Sequence, residues 1–316
     1  MAEYALRRAL YGVLVVFGVT VFVFVALRLV PGDAVRMQLA DSPGVTEAQI
    51  AERTAELGLD QPLVGQFFTF MGKAMTGDFG RSFQNNESVL GLIAERLPTT
   101  LQLGVMALLI GVLLGVPIGL LSAMRPNSWV DQVLRVFAVV GLSIPSFWLG
   151  LLMVTYISIY FGWSPPLVYQ GPGENLSGNL SHTLLPAFAL GAAAMASIAR
   201  MLRSSLLEVV SSNFIRTVRA RGAGPRTVLL KHTTRNSMVP VVTILGLQVG
   251  HILGGTVILE SIFAIPGLGS LIFEAVQMRD YPVVLGCVVV YGAVFVFVNI
   301  LVDLFYGLID PRIRYR

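Results

Sequence analysis

The sequence predicts an all-α membrane protein with six transmembrane helices. Of its 316 residues, 55% are hydrophobic and only 13% are charged, whereas a soluble domain carries about 25% charged residues. Six apolar stretches, each bounded by charged residues, are long enough to cross a bilayer. Lys and Arg concentrate in alternate connections between these stretches, which is the distribution expected of a multi-pass membrane protein.

About 20 apolar residues cross the hydrocarbon core as a helix. The first stretch follows Arg7-Arg8 and is longer than the apolar part of a signal peptide, and no small-residue cleavage site follows it at Pro31-Gly32-Asp33. We interpret it as a retained span, with Arg28 snorkelling to the interface at its far end. The six predicted spans cover residues 9–30, 99–123, 134–161, 184–201, 238–261 and 283–308.

Three segments organise the chain: a cytoplasmic N-terminus with the first span (1–30), an extracytoplasmic helical region (31–96), and a five-span core (97–316) with a basic loop at 200–235. The second segment holds nine acids and five bases. Within it, Thr46-Glu47-Ala48-Gln49 is a capping-box pattern and Gly58 is placed to stop the resulting helix. An aromatic cluster at residues 67–71 is expected to pack rather than bind a ligand.

Orientation follows from the positive charges of the short connections. The N-terminus, the second and fourth connections and the C-terminus together carry fifteen bases and four acids, and all fall on one side if six spans are present. Both termini are therefore expected in the cytoplasm.

The loop 200–235 has eight bases, a single acid and clear sequence signals for the start and end of a helix. Asn213 suits a helix N-cap, Phe214 and Val218 share a face, Gly222 suits a left-handed C-terminal turn, and Pro225 suits the start of another helix. Two interpretations stand near even: a solvated basic loop, or a short helix that docks on a partner protein. The docking candidates are Asn213, Phe214, Ile215, Arg216, Thr217, Val218, Arg219, Ala220, Arg221 and Gly222.

Small residues and prolines mark the spans that pack closely or bend. Glycines recur every four residues at Gly111, Gly115 and Gly119, and again at Gly246, Gly250 and Gly254. Such ridges let backbones approach. For at least one of them we favour packing within the chain; the alternative is a face against a second membrane subunit or a translocation path. Prolines inside spans are expected to kink them: Pro117, Pro186 and Pro145, the last flanked by Ser143 and Ser146.

Ionisable residues within the spans are scarce, which argues against a proton-coupled carrier or ion pump. His251 lies mid-span, where we favour an interhelical hydrogen bond over a role in transport. The single Cys287 and three scattered histidines give no metal-ligand spacing. A phosphate-binding loop is also missing from the sequence, since Gly72-Lys73-Ala74 lacks the rest of the motif.

The chain carries seven short motifs in order: Val30-Pro31-Gly32-Asp33, Leu57-Gly58-Leu59-Asp60-Gln61-Pro62, Gly77-Asp78-Phe79-Gly80-Arg81-Ser82, Leu142-Ser143-Ile144-Pro145-Ser146-Phe147, Ile265-Pro266-Gly267-Leu268-Gly269, Arg279-Asp280-Tyr281-Pro282-Val283 and Leu308-Ile309-Asp310-Pro311-Arg312-Ile313-Arg314-Tyr315. With these motifs the sequence resembles the B-type permease of the dipeptide/oligopeptide/nickel group of bacterial ABC importers, and the basic helix-turn resembles the EAA loop of ABC-importer permeases. The general Glu-Ala-Ala positions are Arg216-Thr217-Val218 here, so a contact attributed to that Glu does not carry over.

The resemblance implies a type I importer permease in a bacterial inner membrane, paired with a homologous C-type permease, two cytoplasmic ATPases and an extracytoplasmic substrate-binding protein. It implies no catalytic, metal or cofactor site and no nucleic-acid partner for this chain, with ATP and magnesium bound by the partner ATPases. Peptide uptake is the favoured function. Uptake of nickel or another small solute by the same machinery remains open, as does a self-sufficient secondary transporter.

Overall fold

The computed structural model describes residues 2–29, 35–36, 46–166, 168–224 and 227–309, without the side chains of 2–6, 229–231, 235 and 303–309. Within these ranges the regular elements are helices, apart from an isolated antiparallel bridge between Arg81 and Ser88. The chain divides into two compact units. The first unit comprises residues 2–100 and 266–296. The second unit comprises residues 101–265 and the chain from residue 297 onward. The predicted boundary at residue 97 lies close to this division, but residues 266–296 group with the N-terminal part.

The first unit begins with α1 (Ala2–Leu29), followed by α2 (Glu47–Glu56) and α3 (Leu63–Met75). The capping box at α2 is present: Gln49 N–H donates to Thr46 Oγ1 at 3.4 Å, and Thr46 N–H donates to Gln49 Oε1 at 2.9 Å. Gly58, with φ +65°, follows the end of α2 as the sequence predicts. Phe67 of α3 packs edge-on against Phe24 of α1, with ring centroids 5.2 Å apart, so the aromatic cluster is a packing element.

Two of the seven motifs, those at residues 77–82 and 279–283, contact each other in the first unit. The carboxylate of Asp280 is buried and accepts hydrogen bonds from Ser82 Oγ at 2.5 Å and from Phe83 N–H at 3.1 Å. Phe83 also lies edge-on to Tyr281, with ring centroids 6.1 Å apart. The loop before α4 (Val89–Met124) is thereby tied to the turn between α10 (Leu268–Gln277) and α11 (Tyr281–Ile309).

The second unit contains α5 (Trp129–Ser143), α6 (Ser146–Phe161), α7 (Leu176–Ser211), α8 (Asn213–Ala220), a π-helical turn (Val228–Thr233) and α9 (Thr234–Ile262). α4 and α11 each continue into this unit. The membrane-length part of α7 is 67% buried, more than that of any other candidate span, so α7 is the central helix. Alanine is the most frequent of its buried residues, and such small side chains allow neighbouring backbones to come close.

The glycine ridge of α4 packs against α7, which confirms the prediction of close packing within the chain. A Cβ atom added at Gly111 would lie 2.8 Å from Cβ of Ala194, and one at Gly115 would lie 2.7 Å from the carbonyl oxygen of Met195. Gly119 approaches Ala199 in the same way. Contacts this short leave no room for any side chain, so the spacing of these glycines fixes the α4–α7 interface.

Five described helices are long and apolar enough to cross a membrane, and a bent pair makes a sixth if its halves are counted as one span. The pair is α5 and α6, which meet at an angle of 105°. The predicted span 134–161 is therefore broken rather than kinked. Ile144 and Pro145 are extended because proline disfavours a helical residue before it and donates no hydrogen bond. By contrast, α4 and α7 continue through Pro117 and Pro186.

Candidate functional site

The short helix α8 follows directly on the central helix α7. Its N-cap is Ser212, whose hydroxyl oxygen accepts a hydrogen bond from the N–H of Ile215 at 3.5 Å. The prediction that Asn213 caps the helix is wrong by one residue. Serine is an equally good cap, and its hydroxyl also donates to the carbonyl oxygen of Val209 at 2.7 Å, which ties the cap to the end of α7.

One side chain of α8 is fully buried, and most of the helix surface is open. Ile215 has no exposed surface and fixes α8 to the second unit, while Val218 is half-buried. Phe214 is 49% exposed and lies edge-on to His232, with ring centroids 6.1 Å apart. The remaining exposed residues of the predicted docking segment are Asn213, Arg216, Thr217, Arg219, Ala220, Arg221 and Gly222.

The turn after α8 has the left-handed conformation that the sequence predicts at Gly222, with φ +83°. Gly222 N–H donates to the carbonyl oxygen of Arg219 at 2.9 Å, and Ala223 N–H donates to that of Val218 at 3.4 Å. These bonds close the helix end. Pro225, the predicted start of the following helix, lies outside the described residues.

A buried ion pair lies in the same part of the second unit. Asp131 of α5 has no exposed surface and accepts two hydrogen bonds of 2.7 Å from Nε and Nη2 of Arg203 in α7. It also accepts from Ser122 Oγ of α4 and, at 2.9 Å, from the N–H of Asn127. We call Ser122, Asn127, Asp131 and Arg203 the brace, because together they join α4, α5 and α7.

The brace and α8 share α7, since α8 begins where α7 ends. α8 is thus connected through α7, and through the Arg203–Asp131 pair, to α5 and α4. The bidentate pair resists sliding because both of its hydrogen bonds are charge-assisted and geometrically fixed. Sequence reasoning missed the brace, since Asp131 and Arg203 lie far apart in the chain and each resembles an ordinary charge beside a membrane span.

The predicted path residues around Pro145 lie at the break between α5 and α6. Ser143 is exposed, and its hydroxyl donates to the carbonyl oxygen of Val139 at 2.9 Å. Pro145 is the residue before α6, and its carbonyl oxygen accepts from Leu149 N–H at 3.0 Å. Ser146 begins α6 and lies near Gly255 of α9, where an added Cβ would be 3.5 Å from Ser146 Oγ.

The second predicted glycine ridge does not act as one surface. Gly246 packs within the chain, because an added Cβ would lie 3.1 Å from Val302 of α11, while Gly250 is half-buried. Gly254 is open, with no atom within 4 Å of an added Cβ. His251 is exposed and has no hydrogen-bond partner among the described residues, so the interhelical hydrogen bond favoured from the sequence is not formed there.

His251 and Gly254 instead belong to an exposed stripe on α9. Its members are spaced three or four residues apart and so share one face of the helix. Most are apolar, and His251 is the one ionisable side chain among them. We call this face the α9 stripe: Thr243, Leu247, His251, Gly254 and Ile258.

The described residues contain no group of three or more His, Cys, Asp or Glu placed to hold a metal ion. Together, the apolar helices and the central α7 define a membrane-embedded protein, with α8 as a short and mostly exposed helix outside the candidate spans. Two family models match this chain. The model for the N-terminal part of the membrane component of binding-protein-dependent transport systems matches residues 1–104, and the model for the inner membrane component of these systems matches residues 115–315. The chain belongs to this family of inner membrane components of binding-protein-dependent transport systems.

Curated relatives are similar over the full length. A putative peptide permease of Brucella suis is 41% identical over 317 residues, covering 99% of each chain. The dipeptide transport system permease DppB of Alkalihalophilus pseudofirmus is 38% identical and the glutathione transport system permease GsiC of Escherichia coli K12 is also 38% identical, each covering 100% of both chains.

Solved structures show the same fold. An inward-facing structure of the MetNI methionine ABC transporter aligns with a TM-score of 0.56 at 20% identity, covering 70% of this chain and 97% of the matched chain. The chain thus has the fold of an ABC importer permease. Its family consists of inner membrane components of binding-protein-dependent transport systems.

Proposed function

We propose that this chain is the permease subunit of an ABC importer for dipeptides or oligopeptides, driven by separate ATPase subunits that hold α8. The observation that carries this proposal is the construction of α8. A helix that buries Ile215 and leaves Phe214 and three arginines exposed is suited to fit into a cleft of a partner. A loop that is merely solvated does not need a capped helix, a left-handed turn and a buried anchor.

The mechanism follows from the connection between α8 and the brace. Closure of the two ATPases on ATP moves the clefts in which α8 and its counterpart sit. α8 moves as a rigid body because Ser212 and Gly222 fix its two ends. Its displacement pulls on α7, and the Arg203–Asp131 pair passes the movement to α5 and α4. The helices then tilt together, and access to the path alternates between the two sides.

In this proposal ATP and magnesium bind to the partner subunits. The nearest approach to a phosphate-binding loop, Gly72-Lys73-Ala74, lies inside α3. A helix interior uses its backbone N–H groups in its own hydrogen bonds, so it has none to offer to phosphate groups. Hydrolysis is therefore assigned to separate chains, and this chain contributes movement and a path.

The remaining partners follow from the proposed geometry. With both termini in the cytoplasm, as the positive charges predict, α8 would be accessible to the ATPases and region 31–96 would be extracytoplasmic. That region would help to receive a substrate-binding protein. A homologous C-type permease would pair with this chain and complete the path, which explains why the α9 stripe has no covering partner in the described part of the chain.

The α9 stripe supports the proposed path. It is apolar apart from His251 and Thr243, and Gly254 leaves a gap in its surface. A peptide backbone can slide along such a surface, since it meets few polar anchors that would hold it. We assign His251 and Gly254 to the path and Gly246 to packing, with Ser143, Pro145 and Ser146 at the hinge between α5 and α6.

Peptides are the proposed cargo because the similar permeases are named for peptide, dipeptide and glutathione transport. The test is ATP-driven uptake of a labelled dipeptide into proteoliposomes that contain the chain together with the C-type permease, ATPases and binding protein encoded beside it. Uptake should require ATP on the side of the membrane that carries the ATPases, and the binding protein on the opposite side. Uphill transport by this chain alone, without nucleotide, would contradict the proposal.

A further inference from the structure

The first unit contains a cavity of about 670 Å³ that the transport mechanism does not use. Its lining comes from the end of α1, from α2 and α3, from the loop at residues 78–86 and from the start of α11. This volume lies within the range of about 300–1,000 Å³ that is usual for small-ligand sites. The cavity is therefore large enough to admit part of a peptide or a side chain of another protein.

Arg28 of α1 forms part of the cavity wall, and its guanidinium group is held rather than free. The Cζ atom lies 4.3 Å from the ring centroid of Phe24 and 4.5 Å from that of Tyr281. Nη2 donates a hydrogen bond of 2.7 Å to Gln66 Oε1. The sequence suggests that this arginine snorkels into the lipid headgroups, but it is stacked on two aromatic rings, an arrangement that favours a desolvated cation.

Gln66 is itself fixed in the orientation that Arg28 needs. Its amide nitrogen donates to the carbonyl oxygens of Leu59, at 3.1 Å, and Gln61, at 2.8 Å. Its oxygen must then face the guanidinium. The position of Arg28 is consequently set by neighbours on three sides before any ligand arrives, which lowers the entropy lost on binding.

One part of the guanidinium has no partner. Nη1 is buried and makes no hydrogen bond within the described chain. A buried guanidinium N–H without an acceptor is unfavourable, because it has lost its hydration and gained nothing in return. A ligand that supplies an acceptor at this position would relieve that cost.

The other charges of the lining leave an excess of positive charge. Arg53 is paired with Glu56 at 2.8 Å, and Arg81 donates to the carbonyl oxygen of Asn86 at 2.9 Å. Lys73 of α3 is exposed and forms no ion pair among the described residues. Asp78 also lines the cavity, and its carboxylate accepts a hydrogen bond from the N–H of Gly80 at 2.9 Å, so four cations of the lining face two acids. Of these cations, we assign to a ligand the two that have a buried N–H without an acceptor, Arg28, or no ion pair among the described residues, Lys73.

We propose that this cavity binds a carboxylate, with Arg28 as its principal ligand and Lys73 as a second positive charge. A carboxylate accepts hydrogen bonds only, and its planar geometry matches the edge of a guanidinium whose surroundings are already filled by two rings. The carboxylate comes either from the C-terminus of a free peptide or from an acidic side chain of a docked binding protein. The second source rests on the proposed function, whereas the first does not.

The first arm of the test measures binding to the assembled complex in phosphatidylcholine nanodiscs without nucleotide. The probes are trialanine with a free C-terminal carboxylate and trialanine amide, which differ in that group alone. Trialanine should bind at least about tenfold more tightly than its amide, as a charge-assisted hydrogen bond to a desolvated cation is strong. R28Q should abolish this difference and K73Q should reduce it several-fold, while R7Q, an exposed arginine of the same helix outside the cavity, should preserve it.

The second arm measures capture of the binding protein by the same nanodiscs. One possible result is that trialanine and its amide bind equally, while R28Q and K73Q weaken capture at least about fivefold and R7Q does not. In that case the carboxylate belongs to the docked protein, and the proposed carboxylate site is supported. Two controls separate loss of binding from loss of folding: the variant R28K, which keeps the positive charge, and the thermal unfolding of each variant. If R28Q misfolds, the result for K73Q tests the proposed site, because Lys73 is exposed.

The proposal is overturned if K73Q and a folded R28Q leave both the acid–amide difference and the capture of the binding protein unchanged. Neither measurement involves nucleotide or uptake. A negative result for the carboxylate site therefore does not bear on the proposal of ATP-driven transport. Likewise, absence of transport would not change the interpretation of the comparison between trialanine and its amide.

Discussion

The guanidinium of Arg203 in α7 donates two hydrogen bonds, each 2.7 Å long, to the two carboxylate oxygens of Asp131 in α5. Asp131 is completely buried, and the Arg203 side chain is 19% exposed. Ser122 and the backbone of Asn127 occupy further acceptor positions of the same carboxylate. The group is therefore fully hydrogen-bonded, and the pair fixes α7 to the helix before the break at Pro145.

Replacement of Asp131 with Asn should destabilise the second unit. Removing one partner of a buried ion pair leaves an uncompensated cation and costs roughly 3–5 kcal/mol, and the partial exposure of Arg203 puts the expected loss at the lower end. The loss is measured as a decrease in the free energy of unfolding in detergent. In proteoliposomes the same variant should hydrolyse ATP with reduced uptake per ATP, because movement of α7 no longer reaches α5.

Arg135 provides the control for that variant. Its Nε lies 3.7 Å from Asp131 Oδ2, and its side chain is 47% exposed. R135Q should change stability by less than about 1 kcal/mol, which is the usual effect of an exposed ion pair. If R135Q were as destabilising as D131N, the stability would not depend on the buried bidentate geometry of Arg203 and Asp131.

Gly222 should be required for coupling between ATP hydrolysis and uptake. Its φ of +83° lies in a region that β-branched residues rarely adopt, so Gly222→Val should distort the end of α8 at a cost of about 1–2 kcal/mol. ATP hydrolysis should continue while dipeptide uptake falls. The matched control is Gly224→Val, because Gly224 has no positive φ and no atom within 4 Å of an added Cβ. Equal uptake by the two variants would show that the turn geometry is unimportant.

Local features of the fold were predictable from the sequence because their causes are local. The capping box at Thr46, the positive φ of Gly58 and Gly222, and the glycine spacing of α4 each depend on a few neighbouring residues. The positions of the apolar helices follow from length and hydropathy. The break at Pro145 was underestimated as a kink, since the sequence does not reveal whether neighbouring helices restore continuity after a proline.

Long-range polar contacts could not be predicted in the same way. Asp131 and Arg203 meet across 72 residues, and Ser82 and Asp280 across 198. Each pair depends on the packing of several helices, and no local pattern marks the residues as partners. Arg28 illustrates the point: its place at the end of a span suggests snorkelling, but only the fold brings Tyr281 and Gln66 against it.

Gly115→Ala should destabilise the α4–α7 interface. The added Cβ would lie 2.7 Å from the carbonyl oxygen of Met195 and 3.0 Å from Cβ of Ile198, both of which belong to the buried face of α7. Backbone atoms cannot move aside cheaply, so the helices must separate at a cost of about 1–3 kcal/mol. Thermal unfolding should show the decrease. Gly18→Ala, in a helix where no atom lies within 4 Å of the added Cβ, should instead be neutral or slightly stabilising because alanine favours helix.

The last prediction tests the assignment of the α9 stripe to the path. Gly254 has no atom within 4 Å of an added Cβ, so Gly254→Trp should fold with near-normal stability. If the stripe lines the path, the indole ring fills the gap beside His251 and blocks passage of a peptide. Dipeptide uptake should then fall by an order of magnitude or more, roughly the effect of closing a pore by sterics.

Gly18→Trp is the matched control, since Gly18 of α1 is equally open and lies on a helix that we do not assign to the path. It should retain uptake close to wild type. ATP hydrolysis and binding-protein capture measured on both variants separate a blocked path from a complex that fails to assemble. Normal uptake by a correctly assembled Gly254→Trp complex would remove the α9 stripe from the path, because a side chain of that size cannot share a channel with a passing peptide.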